Sequence, residues 1–260
     1  MGRLNLKVTA GPLTIDTTTD AFSGSFVKSV VTVTPQNPPE STTIGPCIVL
    51  KLGPAGTPPS ITSNFLDAGP VMNITGPKGS KQAPQMRSIY SADLGGGPSF
   101  GFGAAPPPLY LDPGTYTIDN GGGGADVPAF SESITLPETF VWTNADANLS
   151  IDRSAPVDVT WTGGDPESKV LIGGAVIVSN PTTFQFESGV SFACTEVAAA
   201  GHFTIPSEVL SLLPASSSVN GVSNGSMSLI NGVQKTFELA GFTAANLVFN
   251  STTTRNVQYK

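Results

Sequence analysis

Val157-Asp158-Val159-Thr160-Trp161-Thr162 alternates strictly, and Gly163-Gly164-Asp165-Pro166 stops it. A period of two puts Val157, Val159 and Trp161 on one face and Asp158, Thr160 and Thr162 on the other, the pattern of a half-buried β-strand. The four residues that follow are turn formers. The same grammar recurs along the chain. Residues 4–8, 48–52, 71–75, 115–119, 170–178, 190–195 and 247–249 are all short apolar-rich runs closed by Gly, Pro, Asn or Asp. Strands at this spacing with punctuating turns predict an all-β protein of the sandwich kind.

Composition agrees. The 260 residues include 29 glycines and 23 prolines, and only 12% are charged, which excludes a coiled coil or a mainly helical bundle. With 39% of residues hydrophobic, the chain is not disordered either. One segment reads as helix. Pro206-Ser207-Glu208-Val209-Leu210-Ser211-Leu212-Leu213 has a proline at the start, an acid in the first turn and Pro214 as a stop. The expected architecture is therefore two antiparallel β-sandwich lobes, residues 1–140 and 141–260. The second is expected to be immunoglobulin-like and to carry the short helix over 206–213.

Net charge is −7, from 12 basic and 19 acidic residues. The basic residues are scattered, with Lys78, Lys81 and Arg87 the nearest thing to a cluster, so nucleic acid and anionic membrane surfaces are poor partners. No apolar run approaches the roughly 18 residues of a membrane span. The start, Met1-Gly2-Arg3-Leu4-Asn5-Leu6, has no apolar signal core. Low charge with abundant Ser, Thr, Gly and Asn nevertheless predicts a secreted or cell-surface protein whose signal peptide or larger upstream region precedes this sequence.

There are two cysteines. Alternation places Cys194 with Val190 and Phe192 on an apolar face. In Cys47-Ile48-Val49-Leu50-Lys51-Leu52 the apolar face reads as Ile48, Leu50 and Leu52, with Cys47 opposite, beside Lys51. Thiols on unlike faces of different lobes are expected to stay free, with an oxidised pair as the alternative.

Catalytic chemistry is thin. Gly221-Val222-Ser223-Asn224-Gly225 matches G-x-S-x-G, but a nucleophile elbow lies between a core strand and a long helix, and neither flanks it here. His202 is the only histidine and so the only conventional base for Ser223. One histidine and two separated cysteines leave a zinc site without ligands, and no cofactor is expected. No carboxylate pair sits at a glycosidase motif. Asp119, Asn120 and Asp126 flank the Gly121–Gly124 run and are weak candidates for calcium, since no D-x-D-x-D-G pattern is present. Phe100, Phe102, Tyr110 and Tyr116 are the aromatics that could stack on sugar rings; Phe100 and Phe102, in a Gly-rich loop, are the ones expected to be exposed, with core packing of Tyr110 and Tyr116 as the alternative.

Several stretches, in order, resemble a C-terminal region of large exported proteins of soil bacteria. They are Leu66-Asp67-Ala68-Gly69-Pro70 with Thr75-Gly76-Pro77-Lys78-Gly79, then Tyr110-Leu111-Asp112-Pro113-Gly114-Thr115-Tyr116-Thr117. After these come Val159-Thr160-Trp161-Thr162-Gly163-Gly164-Asp165-Pro166, Phe192-Ala193-Cys194, and Gly201-His202-Phe203-Thr204-Ile205-Pro206. That family has no assigned activity, so the resemblance implies export and an all-β architecture and transfers no site. The function expected is a non-catalytic extracellular module for adhesion, glycan binding or cell-surface presentation, with a polysaccharide or cell-surface partner. The alternative is an exported esterase or glycosidase whose site, built around Ser223 and His202 or a carboxylate pair, is assembled between the lobes.

Overall fold

A computed structural model of the chain describes residues 1–10, 13–32, 40–53, 60–98, 105–180, 183, 185–219 and 221–260. The chain opens with an antiparallel pair, β1 (Gly2–Ala10) and β2 (Leu13–Gly24). It then leaves as β3 (Val27–Thr32), forms the hairpin β4 (Glu40–Ile44) and β5 (Cys47–Leu52), and returns as β6 (Ser60–Phe65), which pairs with β3. Strands β7 (Val71–Gly76), β8 (Gly79–Met86), β9 (Ile89–Pro98), β10 (Gly114–Asp119) and β11 (Ser131–Leu136) build a wall that joins β2 through β9.

In the second half, β12 (Val141–Trp142), β14 (Val157–Thr162) and β17 (His202–Ile205) form a small sheet, and β13 (Ser150–Ile151) pairs with the last strand. Strands β15 (Lys169–Ser179) and β16 (Phe186–Val197) pair antiparallel. A single helical turn, α1 (Ser207–Leu210), and the short pair β18 (Ser218–Val219) and β19 (Val222–Ser223) precede a long hairpin, β20 (Gly225–Phe237) and β21 (Ala245–Tyr259). The protein is thus all-β, with large antiparallel sheets packed as a sandwich and, among the described residues, one short α-helix.

One 14-stranded sheet runs through the molecule in the order β11-β10-β7-β8-β9-β2-β1-β21-β20-β15-β16-β5-β4, with β13 off the path on β21. Its seam is the parallel pair β1–β21, in which Leu4 faces Thr252 and Leu6 faces Thr254. The hairpin β20–β21 serves two cores. Met227, Leu229, Val257 and Tyr259 enter a core with Val159, Trp161, Ile172, Phe192 and Ile205. Leu239 and Phe249 enter another with Met72, Ile74, Tyr90, Tyr116 and Ile118.

The first of these cores has a lid. The β12-β14-β17 sheet brings Trp142 and Trp161, and α1 with the turn after it brings Val209, Leu210 and Leu213. The Trp161 indole donates to the Ala198 carbonyl at 2.8 Å, which satisfies its one polar atom. The other core is pinned by tyrosine hydroxyls. Tyr116 donates to the carbonyls of Tyr110 (2.9 Å) and Asp112 and accepts from the Asp112 N–H, a tyrosine corner built on Asp112-Pro113-Gly114-Thr115-Tyr116. A side chain at Gly76 would strike the Tyr116 ring, so glycine is required where that ring crosses β7. Arg3 and Asp20 make a bidentate pair at 2.8 Å, and Asp20 also accepts from the N–H groups of Tyr110 and Leu111. The hydrogen bond to Asp20 raises the Arg3 pKa, outweighing the burial that disfavours the guanidinium charge.

Two expectations need correction. Cys47 and Cys194 are joined in a disulfide, and both are fully buried. β5 lies against β16 in a register that sets Cys47 directly opposite Cys194, with Cα atoms 4.0 Å apart, and Val49 opposite Phe192. Cys47 and Val49 therefore point inward, and Ile48, which is 48% exposed, points out. Counting aliphatic residues chose the wrong face because the outward face of this sheet is itself aliphatic. Lys51, at the end of the inward row, escapes the core by pairing with Glu40 at 3.3 Å. The hairpin β4–β5, from the first third of the chain, docks on the core formed mainly by residues 140–259. The helix, expected over 206–213, is one turn long, and its apolar residues are buried as expected.

Candidate functional site

Register defines a continuous outward face over β5, β16, β15, β20, β21 and β1. Its central row is Ile48, Ala193, Gly173, Ser228, Thr254 and Leu6. One flanking row reads Leu50, Ser191, Ala175, Ser226 and Asn256, and the other Thr195, Leu171, Ile230, Thr252 and Leu4. None of these residues is buried, and none is charged. Ser228 and Thr254 hydroxyls meet at 2.8 Å, as expected for cross-strand partners on one face. Six strands at the usual spacing make a face about 24 Å wide. Six of its sixteen residues carry hydroxyls and eight are aliphatic, so it offers hydrogen bonds and apolar contact without a formal charge.

A second feature lies at the far end of the β20–β21 hairpin. The core around Tyr90 and Ile118 is not closed there, and a cavity of about 480 Å³ opens between the β2–β3 turn and the hairpin tip. Its walls include Phe22, Phe26, Met72, Ile118, Phe130 and Phe237. Phe26 is the hub of an aromatic cluster, with ring centroids 5.7 Å from Phe130, 5.8 Å from Phe242 and 6.3 Å from Tyr90, tilted or edge-on. No lining residue has an acidic or basic side chain.

The residues singled out from sequence fall elsewhere. Ser223 is buried, and its hydroxyl donates to the Val257 carbonyl at 2.6 Å while accepting from the Gly225 N–H. His202 is exposed on β17, with Nδ1 3.0 Å from the carbonyl of Ala200 in its own turn. The two sit on different sheets and share no hydrogen bond. Phe100 and Phe102 lie outside the described residues.

Asn120 is buried. Its amide donates to the carbonyls of Ala68 and Pro128, and its side-chain oxygen accepts from the Phe130 N–H at 2.8 Å. Asp119 accepts from Asn73 and the Gly121 N–H, and Asp126 accepts from the Asp67 N–H at 2.9 Å. Each of the three is occupied in fastening the glycine-rich turn. Among the described residues, no group of three His, Cys, Asp or Glu side chains converges as for a metal ion.

Alternation along β15, β16 and β20 carries the outward face in plain view, and it becomes visible once Cys194 fixes which side is inward. The cavity aromatics gave no such signal, since Phe22 and Phe237 are 215 positions apart and only the topology joins them. Compared with protein-family models, curated proteins and solved structures, the chain matches none.

Proposed function

We propose that this is a non-catalytic extracellular β-sandwich module that adheres to uncharged polysaccharide through the outward face of its long sheet. The observation that carries the reading is that face: three rows across six strands, exposed or half-exposed, hydroxyl-rich and without a charged residue. An uncharged polymer bearing hydroxyls on apolar rings matches that chemistry, whereas nucleic acid would need a basic stripe. The disulfide supports work outside the cytoplasm, where such bonds persist. The engaged Ser223 hydroxyl, and His202 on another sheet with no hydrogen bond to it, lend nothing to a hydrolase. Phe100 and Phe102 remain the loop aromatics proposed to stack on sugar rings.

Retention on insoluble cellulose, chitin and mannan tests this. The wild-type protein is expected to bind at least one of them, and Ser228→Glu and Ala193→Lys, both outward and free of core contacts, to weaken retention about tenfold. Retention on none, equal retention by both charged variants, or turnover of p-nitrophenyl esters or glycosides would overturn it.

A further inference from the structure

We infer that the open end of the Tyr90–Ile118 core is a second, separate binding site, for an uncharged apolar ligand of aromatic-ring or acyl-chain type. Its volume, about 480 Å³, lies in the range that accommodates a drug-sized molecule. The floor is core: Met72 and Ile118 are 1% and 2% exposed. The walls are phenylalanine rings already held against one another by the Phe26 cluster, so little side-chain ordering remains for a ligand to impose.

The mouth is made differently from the floor. Ser23, Gly24 and Ser25 stand on one side, and Ala244 and Ala245 on the hairpin side. Every one of these is small, and a single larger residue at Ala244, which is exposed, would close the entrance. Large aromatic residues beneath and small ones at the rim leave the space accessible. The hydroxyls of Ser23 and Ser25 are exposed at the rim, where they meet solvent or a polar end of the ligand, while the Asn246 side-chain oxygen accepts from Gln234 and Thr236 within the hairpin. The lining side chains carry no charge, and the Met1 ammonium at the wall is already held by the Val248 carbonyl at 2.8 Å, so an ionised group carried inside would lose its hydration with little compensation. That selects a neutral ligand. This site shares no residue with the outward face proposed to hold polysaccharide.

The test is fluorescence titration with the neutral probe N-phenyl-1-naphthylamine. Saturable, blue-shifted emission at one site is expected, weakened at least tenfold in Ala244→Trp. If Ala244→Trp disturbs the far-UV circular dichroism, Ser25→Arg, also exposed at the rim, takes its place. Displacement separates the ligand classes: 1-decanol stands for acyl chains and 2-methylnaphthalene for rings, and decanoate should compete at least tenfold less well than 1-decanol. No saturable signal, unchanged affinity in the blocked variant, displacement by neither neutral competitor, or equal competition by decanoate would overturn the proposal. Ser228→Glu should leave probe binding untouched while weakening polysaccharide retention, so the two proposals fail independently.

Discussion

The two cores share one hairpin and end differently. Around Ile172 and Trp161, β20–β21 is covered by the β12-β14-β17 sheet and the turn at α1, and the edge is fastened by the Cys47–Cys194 bond. Around Tyr90 and Ile118 the same hairpin ends in an open mouth rimmed by small residues. The closed core takes its lid from residues 141–213 and its last strands from residues 40–52, so its closure depends on distant pieces of chain. The open core is fixed instead by hydrogen-bonded tyrosines and the Arg3–Asp20 pair, which hold its walls without filling its end. Packing to full density gives rigidity, and an unfilled end gives room for a ligand.

The largest effect that could break this contrast is loss of the disulfide. It closes a chain separation of 147 residues, which by loop entropy stabilises the fold by about 4–5 kcal/mol. Cys47→Ala with Cys194→Ala should lower the urea midpoint accordingly, and limited proteolysis should then cut first between residues 40 and 65. A loss under 1 kcal/mol would mean that the hairpin β4–β5 is held by strand pairing alone.

Gly174→Ala comes next. The added methyl would run into the Tyr259 hydroxyl and the Phe192 ring, and overpacking of this kind costs about 2–3 kcal/mol. Tyr116→Phe should cost about 1 kcal/mol by removing the hydroxyl that ties Tyr110 to Asp112, although the Asp112 N–H keeps the Tyr110 carbonyl at 3.1 Å. Ala244→Trp, at the open end, should shift stability by no more than about 0.5 kcal/mol in either direction, as for an exposed substitution. Thermal unfolding of the three side by side gives the contrast directly: a methyl is refused by the closed core, and an indole is accepted at the open one.

The smallest effect concerns pH. Asp146 is held below the usual carboxylate range, first by the hydrogen bond from Lys7 at 2.9 Å and then by the charges of Lys7 and Arg255. A carboxyl whose folded pKa is depressed adds stability above its unfolded pKa and loses it as pH falls through the folded value. The side chain is 66% exposed, so solvent screening leaves about 0.2–0.5 kcal/mol. Asp146→Asn should be measurably less stable than wild type at pH 7 and equal to it at pH 2.

Strand content, turns and the burial of Trp161 follow from alternation and turn residues, and so were legible in the sequence, whereas the burial of Tyr110 and Tyr116 decides between two readings that the sequence leaves open. The inward side of β5 was not. Ile48, Leu50 and Leu52 outnumber Cys47 and Val49 as aliphatics, and only the pairing with β16 shows which set is inside. Local pattern also cannot say that β4–β5 leaves its sequence neighbours, or that residues 245–259 slot between β1 and β20. Those are long-range pairings set by the whole sheet. The functional surfaces divide in the same way: the outward face is periodic and could be found along single strands, whereas the cavity gathers aromatics from β2, β20 and three connecting segments and has no linear signature.

The central claim is that the hairpin of the first third of the chain is covalently fixed to the core formed by the last half. Peptide mapping of the folded protein, denatured and alkylated without reductant, tests it most directly. The account predicts one cross-linked species containing Cys47 and Cys194 with neither residue alkylated; two alkylated cysteines from protein that retains its native circular dichroism would contradict it.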